Sequence, residues 1–298
     1  MSLLSPVVFE GQHDGPHLLI LGAVHGNEPC GHIAIGKVLD NIKHGNIRIH
    51  TGRVTFVQTC NPKAFEQNKR FVESNLNRRL FPKDNPETYE DHLGNELCPL
   101  LASADLLLDI HSYKRGGPVF GFISPDRTPE ELALIKYTQS PYAVFGFEDA
   151  YRAANVPVDE RESMGTREYL LTKGGRGITL ECGQHEDQEG ADIAYMAILN
   201  CLSGYGLAEL SIPLPQPTSA PHNPLFIQMK HAIFKEKPGG LERPWENFAE
   251  VHEGDVLATY EDGTSINSPC DGVIVLPDIR DDMPVGEQWF YIGIKTEL

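Results

Sequence analysis

The chain has 298 residues, and 42 acidic side chains against 25 basic ones leave a formal net charge of −17 at neutral pH. That balance argues against a nucleic-acid surface, which needs a basic stripe, but a local arginine cluster can still oppose it and hold an anionic small molecule. The hydrophobic fraction of 40% suits one large domain, or a large one with a small one, and no apolar run reaches the length of a bilayer span, so no membrane partner is expected.

The opening "MSLLSPVVFEGQHDG" has no basic start and meets Pro6 and Glu10 early, unlike a signal peptide. Cys30, Cys60, Cys98, Cys182, Cys201 and Cys270 are scattered without paired spacing, which favours reduced thiols and a cytoplasmic location. "HLLILGAVHG" reads as a strand buried on both faces, and "CGHIAIGKVLDNI", following Pro29, as a helix. "RVTFVQTCNP" alternates like a strand, and "KAFEQNKRFVESNLNRRLFPKDNPET" reads as a long functional loop. "YEDHLGNELCPLLA" is a predicted helix and "ADLLLDIHSY" a buried strand. Strands "GPVFGFI" and "PYAVFGF" flank the helical "TPEELALIKYTQ". Helix "ESMGTREYLLTK", strand "RGITLECG" and helix "DIAYMAILNCLSGYGL" close the series. Alternating strands and helices imply an α/β domain with a largely parallel sheet flanked by helices, over residues 1–215. A proline-rich linker at 211–224 then leads to a small β-rich domain, 225–298, with wording reminiscent of a lipoyl-type barrel but no modifiable lysine at the expected turn.

In such sheets, sites form beyond the carboxyl ends of strands, which is where His25, His111 and Glu181 fall. His25 and Glu28, three apart at a strand-to-helix junction, make a good zinc pair; alone, the spacing is equally compatible with a solvated turn. His111 supplies a second imidazole. Asp109 lies two residues earlier on the same strand face, placed to orient it. Two His and one Glu with a fourth position left for water is the composition of a catalytic zinc site. Glu181, a carboxylate closing an apolar strand, is either a rim ion pair or a base. Arg70, Arg78 and Arg79 cluster in the long loop. They form either a solvated face or a clamp in which Asn77 and Arg78 hold a carboxylate and Arg70 polarises a carbonyl.

Four separated pieces, "GAVHGNEPCG", "NKRFVESNLNRRLF", "DLLLDIHSY" and "GITLECGQ", together resemble the succinylglutamate desuccinylase/aspartoacylase family, relatives of the zinc carboxypeptidases. The resemblance implies a carboxypeptidase-like fold, one Zn2+ per subunit held by His25, Glu28 and His111, Glu181 as general base and acid, and Arg70 on the scissile carbonyl. It further implies Asn77 and Arg78 on the substrate carboxylate, Arg167 on the substrate side chain, and Tyr291 as a C-terminal pocket residue. Ser163 departs from the family pattern, where aspartoacylase places a tyrosine. The implied reaction is removal of an acyl group from a small N-acyl-amino acid by an enzyme that self-associates in some relatives, with the C-terminal domain roofing the site. A zinc carboxypeptidase, an esterase and a non-enzymatic metal-bound module are the alternatives.

Overall fold

The structure is a computed structural model that describes residues 2–114, 117–155, 163–213, 223–280 and 282–297. Most of the proline-rich linker (residues 214–222) and position 162 of the helix expected from "ESMGTREYLLTK" lie outside the described residues.

The elements are, in order, β1 (Val7–Glu10), β2 (His13–Leu21), α1 (Cys30–Lys43), β3 (Ile47–Ile49), β4 (Thr51–Val57), α2 (Pro62–Glu66), α3 (Tyr89–Ala102), β5 (Leu106–Tyr113) and β6 (Phe120–Phe122). Then follow α4 (Pro129–Thr138), β7 (Tyr142–Phe145), α5 (Phe147–Ala153), α6 (Thr166–Thr172), β8 (Arg176–Gln184), α7 (Gln188–Gly204) and β9 (Ala208–Leu210). The C-terminal part holds β10 (Leu225–Phe234), β11 (Gly239–Leu241), β12 (Glu250–Val251), β13 (Val256–Tyr260), β14 (Ser265–Asn267), β15 (Gly272–Val275) and β16 (Gln288–Thr296).

An eleven-stranded mixed sheet runs β1-β4-β2-β5-β8-β6-β7-β10-β16-β15-β12. Its centre, β4-β2-β5-β8, is parallel, as the continuous apolar runs require; every residue of β5 is buried. β6 lies antiparallel to β8 and parallel to β7. Segment 225–298 adds to this same sheet, because β10 pairs parallel with β7 and antiparallel with β16. A three-stranded sheet β11-β13-β14 lies within that segment.

One face of the sheet buries Ile20, Phe56, Leu108, Ile110, Ile178 and Leu180 against α1, α4 and α7. The other sets Leu19, Leu21 and Leu107 against α3 and α6. Each such side chain contributes about 1.5–3 kcal/mol. A third core joins the two parts of the chain, with Tyr113, Phe120 and Val144 meeting Ile227, Phe248 and Tyr291.

Two local readings need correction. The long loop opens with a short helix, α2, because Pro62 fits its first turn and the Asn61 side chain accepts from Ala64 N at 3.3 Å. The strand expected through "PYAVFGF" stops at Phe145. Gly146, at φ +93°, turns the chain and Phe147 begins α5.

Candidate metal centre

β2 delivers the chain to Ala23, held at φ +48°, and two residues later to His25; Glu28 follows just before Pro29 and α1. Gly26 allows a backbone-to-backbone approach that no side chain would tolerate: a Cβ there would lie 2.1 Å from the Ala64 carbonyl carbon of α2. Its N–H donates to Arg70 O at 3.3 Å, which fixes the arginine loop against the histidine turn.

His25, Glu28 and His111 converge as the sequence suggests, all buried, with ligand atoms within 4.8 Å of one another; among the described residues no other such group occurs. Glu28 divides its carboxylate: Oε1 lies 2.9 Å from His25 Nδ1 and 3.0 Å from Arg70 Nη1, and Oε2 lies 2.8 Å from His111 Nδ1. Ser112 N also donates to Oε2, at 3.2 Å. Burial opposes ionisation of Glu28, but the two imidazoles outweigh it and hold the carboxyl well below its usual range.

The outer nitrogens of the two rings both lie beside oxygen atoms. Asn75 Oδ1 accepts from Asn77 N at 3.0 Å, so it is an oxygen, and His25 Nε2, also at 3.0 Å, must donate to it. Burial lowers the His25 pKa to about 4. The ring is therefore neutral at pH 7, and Nδ1 turns a lone pair, not a proton, toward Glu28. That contact is repulsive unless a cation lies between them. His111 Nε2 lies 3.0 Å from Asp109 Oδ2, off the hydrogen-bond axis. Burial disfavours the His111 imidazolium, yet Asp109 and Glu28 together raise its pKa well above the ordinary value. The cluster thus calls for positive charge, which a proton on His111 or a metal ion would supply. Two imidazole nitrogens and a carboxylate, with an amide oxygen fixing the far nitrogen of His25 and the Asp109 carboxylate beside that of His111, fit a zinc-type ion.

Glu181 stands opposite His111 on the neighbouring strand, Cα paired with Cα. Its Oε2 is enclosed without a hydrogen-bond partner among the described residues. Burial pushes its pKa up to about 8, against the pull of the His111 charge. A carboxyl that exchanges its proton near neutrality is suited to acid–base work. Arg70, partly exposed, reaches into the same place through its contact with Glu28.

The loop after α2 is organised by a buried acid that sequence reasoning overlooked. Glu90, in the first turn of α3, accepts from Val72 N at 2.7 Å, from Glu73 N and Ser74 N at 3.1 Å, and from Asn61 Nδ2 at 3.0 Å. His185 was also overlooked. It lies beside the centre, its Nδ1 2.8 Å from Ser112 Oγ, within the field of Glu28, Arg70 and His111. Its only sequence signal was a histidine just past the end of the Glu181 strand.

The remaining expected residues divide. Asn77 Oδ1 accepts from Thr166 N at 2.8 Å, and Arg78 is exposed, with Nη1 2.6 Å from Asn77 O. Tyr291, on β16, is buried and donates to Tyr151 at 3.2 Å; burial raises its pKa well above the ordinary value, opposed by the charge of Arg78. Arg167 is buried and turned toward acids, with Nη2 2.6 Å from Glu168 and Nη1 3.9 Å from Glu131. No contact joins Arg167 to the His–Glu–His group among the described residues.

The structure is a mixed α/β sheet with a His–Glu–His group at its strand ends and a half-buried acid opposite. Residues 14–202 match the sequence profile of the succinylglutamate desuccinylase/aspartoacylase catalytic domain, and the chain belongs to that family of deacylases. It is similar to the N-alpha-acetyl-L-2,4-diaminobutyric acid deacetylase of Halomonas elongata, with 27% identity over 88% of this chain and 75% of that protein. The fold is similar to a succinylglutamate desuccinylase/aspartoacylase from Rhodobacter sphaeroides, at TM-score 0.78 and 19% identity, covering 98% of this chain and 89% of the other. It is also similar to the product-bound ectoine utilization protein EutE (DoeB) from Ruegeria pomeroyi, at TM-score 0.72 and 21% identity, covering 97% and 88%. Among the described residues no helix is long and apolar enough to cross a membrane.

Proposed function

We propose that the protein is a zinc-dependent amidohydrolase that removes the acyl group from a small N-acyl-amino acid, releasing a carboxylic acid and a free amino acid. The observation that carries this is Glu181, raised in pKa and unpartnered at Oε2, opposite the His25–Glu28–His111 group. Those three residues would hold the ion, which when bound lowers the pKa of water and polarises a carbonyl. Glu181 then takes the proton of the attacking water and returns it to the departing amine. Arg70, at the mouth of the group, holds the oxygen on which negative charge develops. Asn77 and Arg78 bind the substrate carboxylate and so fix the scissile bond over the centre.

Tyr291 and its neighbours bring the C-terminal segment against the site, so that segment 225–298 walls the pocket and restricts it to small substrates. Arg167 is the residue that the family resemblance assigns to the substrate side chain, but Glu168 and Glu131 already match its charge. The pocket therefore does not demand an acidic side chain, and a basic one, as in the name of the Halomonas relative, is admissible. Six free cysteines, five of them buried, support a cytoplasmic site of action.

The test is release of free amine from N-acetyl, N-formyl and N-succinyl amino acids with acidic, basic and apolar side chains, by zinc-loaded protein and by Glu181→Ala. Turnover that vanishes in the variant establishes the reaction and names the substrate. Stoichiometric zinc without turnover on any of them refutes the substrate class and turns attention to peptides and esters.

A further inference from the structure

We propose that Thr166 is a positioning residue that ties the metal-binding histidines to the loop holding the substrate carboxylate, its hydroxyl fixing Asp109 behind His111 and its backbone N–H fixing Asn77. The inference rests on reading His25, Glu28 and His111 as metal ligands.

Thr166 is wholly buried as the first residue of α6 and uses both of its donors. Its Oγ1 donates to Asp109 Oδ2, and its N–H donates to Asn77 Oδ1 at 2.8 Å. From these two ends a closed circuit can be traced. Asp109 Oδ2 lies 3.0 Å from His111 Nε2, and His111 Nδ1 lies 2.8 Å from Glu28 Oε2. Glu28 Oε1 lies 2.9 Å from His25 Nδ1, and His25 Nε2 donates to Asn75 Oδ1 at 3.0 Å. Asn75 Oδ1 also accepts the N–H of Asn77, again at 3.0 Å, and Asn77 leads back to Thr166.

Two further observations mark this junction as built for the purpose. Asp109 is fully buried and its Oδ1 has no partner among the described residues, so the Thr166 hydroxyl is the hydrogen-bond donor that its side chain has there. Without it the carboxylate is free to turn away from His111 Nε2. Next to Thr166, a Cβ on Gly165 would lie 2.5 Å from Asn77 Oδ1, so a side chain there would displace the Asn77 amide from the Thr166 N–H. The bland alternative, an ordinary helix start, does not account for the hydroxyl: it bonds a carboxylate of another element, not its own helix.

The test compares Thr166→Val, which keeps the shape and the backbone N–H, with Thr166→Ser, which keeps the hydroxyl. Zn2+ affinity is read by competition with a chromogenic chelator, beside kcat and KM for the amino-acid derivative that the wild type hydrolyses. Thr166→Val should weaken Zn2+ binding by about 10–100-fold, the usual effect of losing a partner behind a metal ligand, and lower kcat. KM should stay within about twofold because Asn77 is still held. Thr166→Ser should restore both affinity and kcat. Thr166→Ala repeats the affinity measurement should the valine variant not fold. Wild-type affinity in folded Thr166→Val or Thr166→Ala, or a Thr166→Ser variant as weak as the valine one, overturns the role of the hydroxyl. A wild-type protein that binds no divalent ion overturns the metal reading itself, a distinct result.

Discussion

His111 and Glu181 face each other across the parallel β5–β8 ladder, Cα opposite Cα, so their side chains leave the sheet on the same side. The register thus joins an imidazole of the candidate centre to the proposed acid–base group with no loop between them. Replacing Glu181 by Gln keeps the shape and removes the proton carrier. Turnover is expected to fall by about 10²–10⁴-fold while zinc content is unchanged, read by steady-state kinetics beside metal analysis.

The same substitution has an opposite effect on the metal-free fold. The folded pKa of Glu181 is raised, to about 8, above the ordinary carboxyl value. A raised pKa contributes stability at low pH that is lost as pH rises through the folded value. The metal-free wild type therefore carries a penalty that grows from about pH 5 and levels off above pH 8. It deepens by at most about 1.4 kcal/mol for each step of one in pH over which the unfolded carboxyl is ionised and the folded one is not. Thermal melts of metal-free Glu181→Gln should exceed those of the wild type by a margin that widens over this range. An equal margin at both ends would contradict the raised pKa.

Removal of metal should both silence and loosen the protein. An ion that binds only the folded arrangement of His25, Glu28 and His111 stabilises by about 2.7 kcal/mol at a hundredfold excess over its dissociation constant. Dialysis against chelator should lower Tm, Zn2+ should restore it, and His25→Ala should abolish the Zn2+-dependent increment.

Glu90 is expected to matter to function without touching a substrate. Glu90→Ala leaves the N–H groups of Val72, Glu73 and Ser74 without their buried acceptor. The cost is about 3 kcal/mol or more, read from denaturant unfolding. Because these amides anchor the loop between Arg70 and Arg78, KM should also rise.

Arg78 and Arg167 should separate cleanly. Arg78 is exposed and donates to the neighbouring Asn77 carbonyl, whereas Arg167 is buried against Glu168 and Glu131. Arg78→Ala should raise KM by about ten- to a hundredfold, corresponding to loss of a charged hydrogen bond, with Tm unchanged. Arg167→Met should chiefly lower Tm. A large KM effect at Arg167 with no loss of stability would place the substrate side chain directly on that guanidinium.

Much of this arrangement was legible because it is local. The bounds of α3 follow from Thr88 and Asp91, which cap it reciprocally, and from its apolar spacing. His25, Glu28 and His111 were recoverable because strand ends in a parallel sheet meet at one edge. Glu90 and Thr166 were not, since each acts on a chain segment far away in sequence and neither breaks a local rule. The docking of Leu225–Phe234 beside Tyr142–Phe145 was equally hidden, because alternation marks a strand but not its neighbour.

That docking has a mechanical consequence. His111 and Tyr291 stand on strands of one hydrogen-bonded sheet, so the two walls cannot swing apart without tearing the β7–β10 or β10–β16 ladder. On the proposed reading, a site framed in this way would not close on its substrate by a swing of segment 225–298. Under the proposed function, a site bounded by these strands would act as a gauge of fixed bore, with acyl chains accepted up to a length and then refused abruptly.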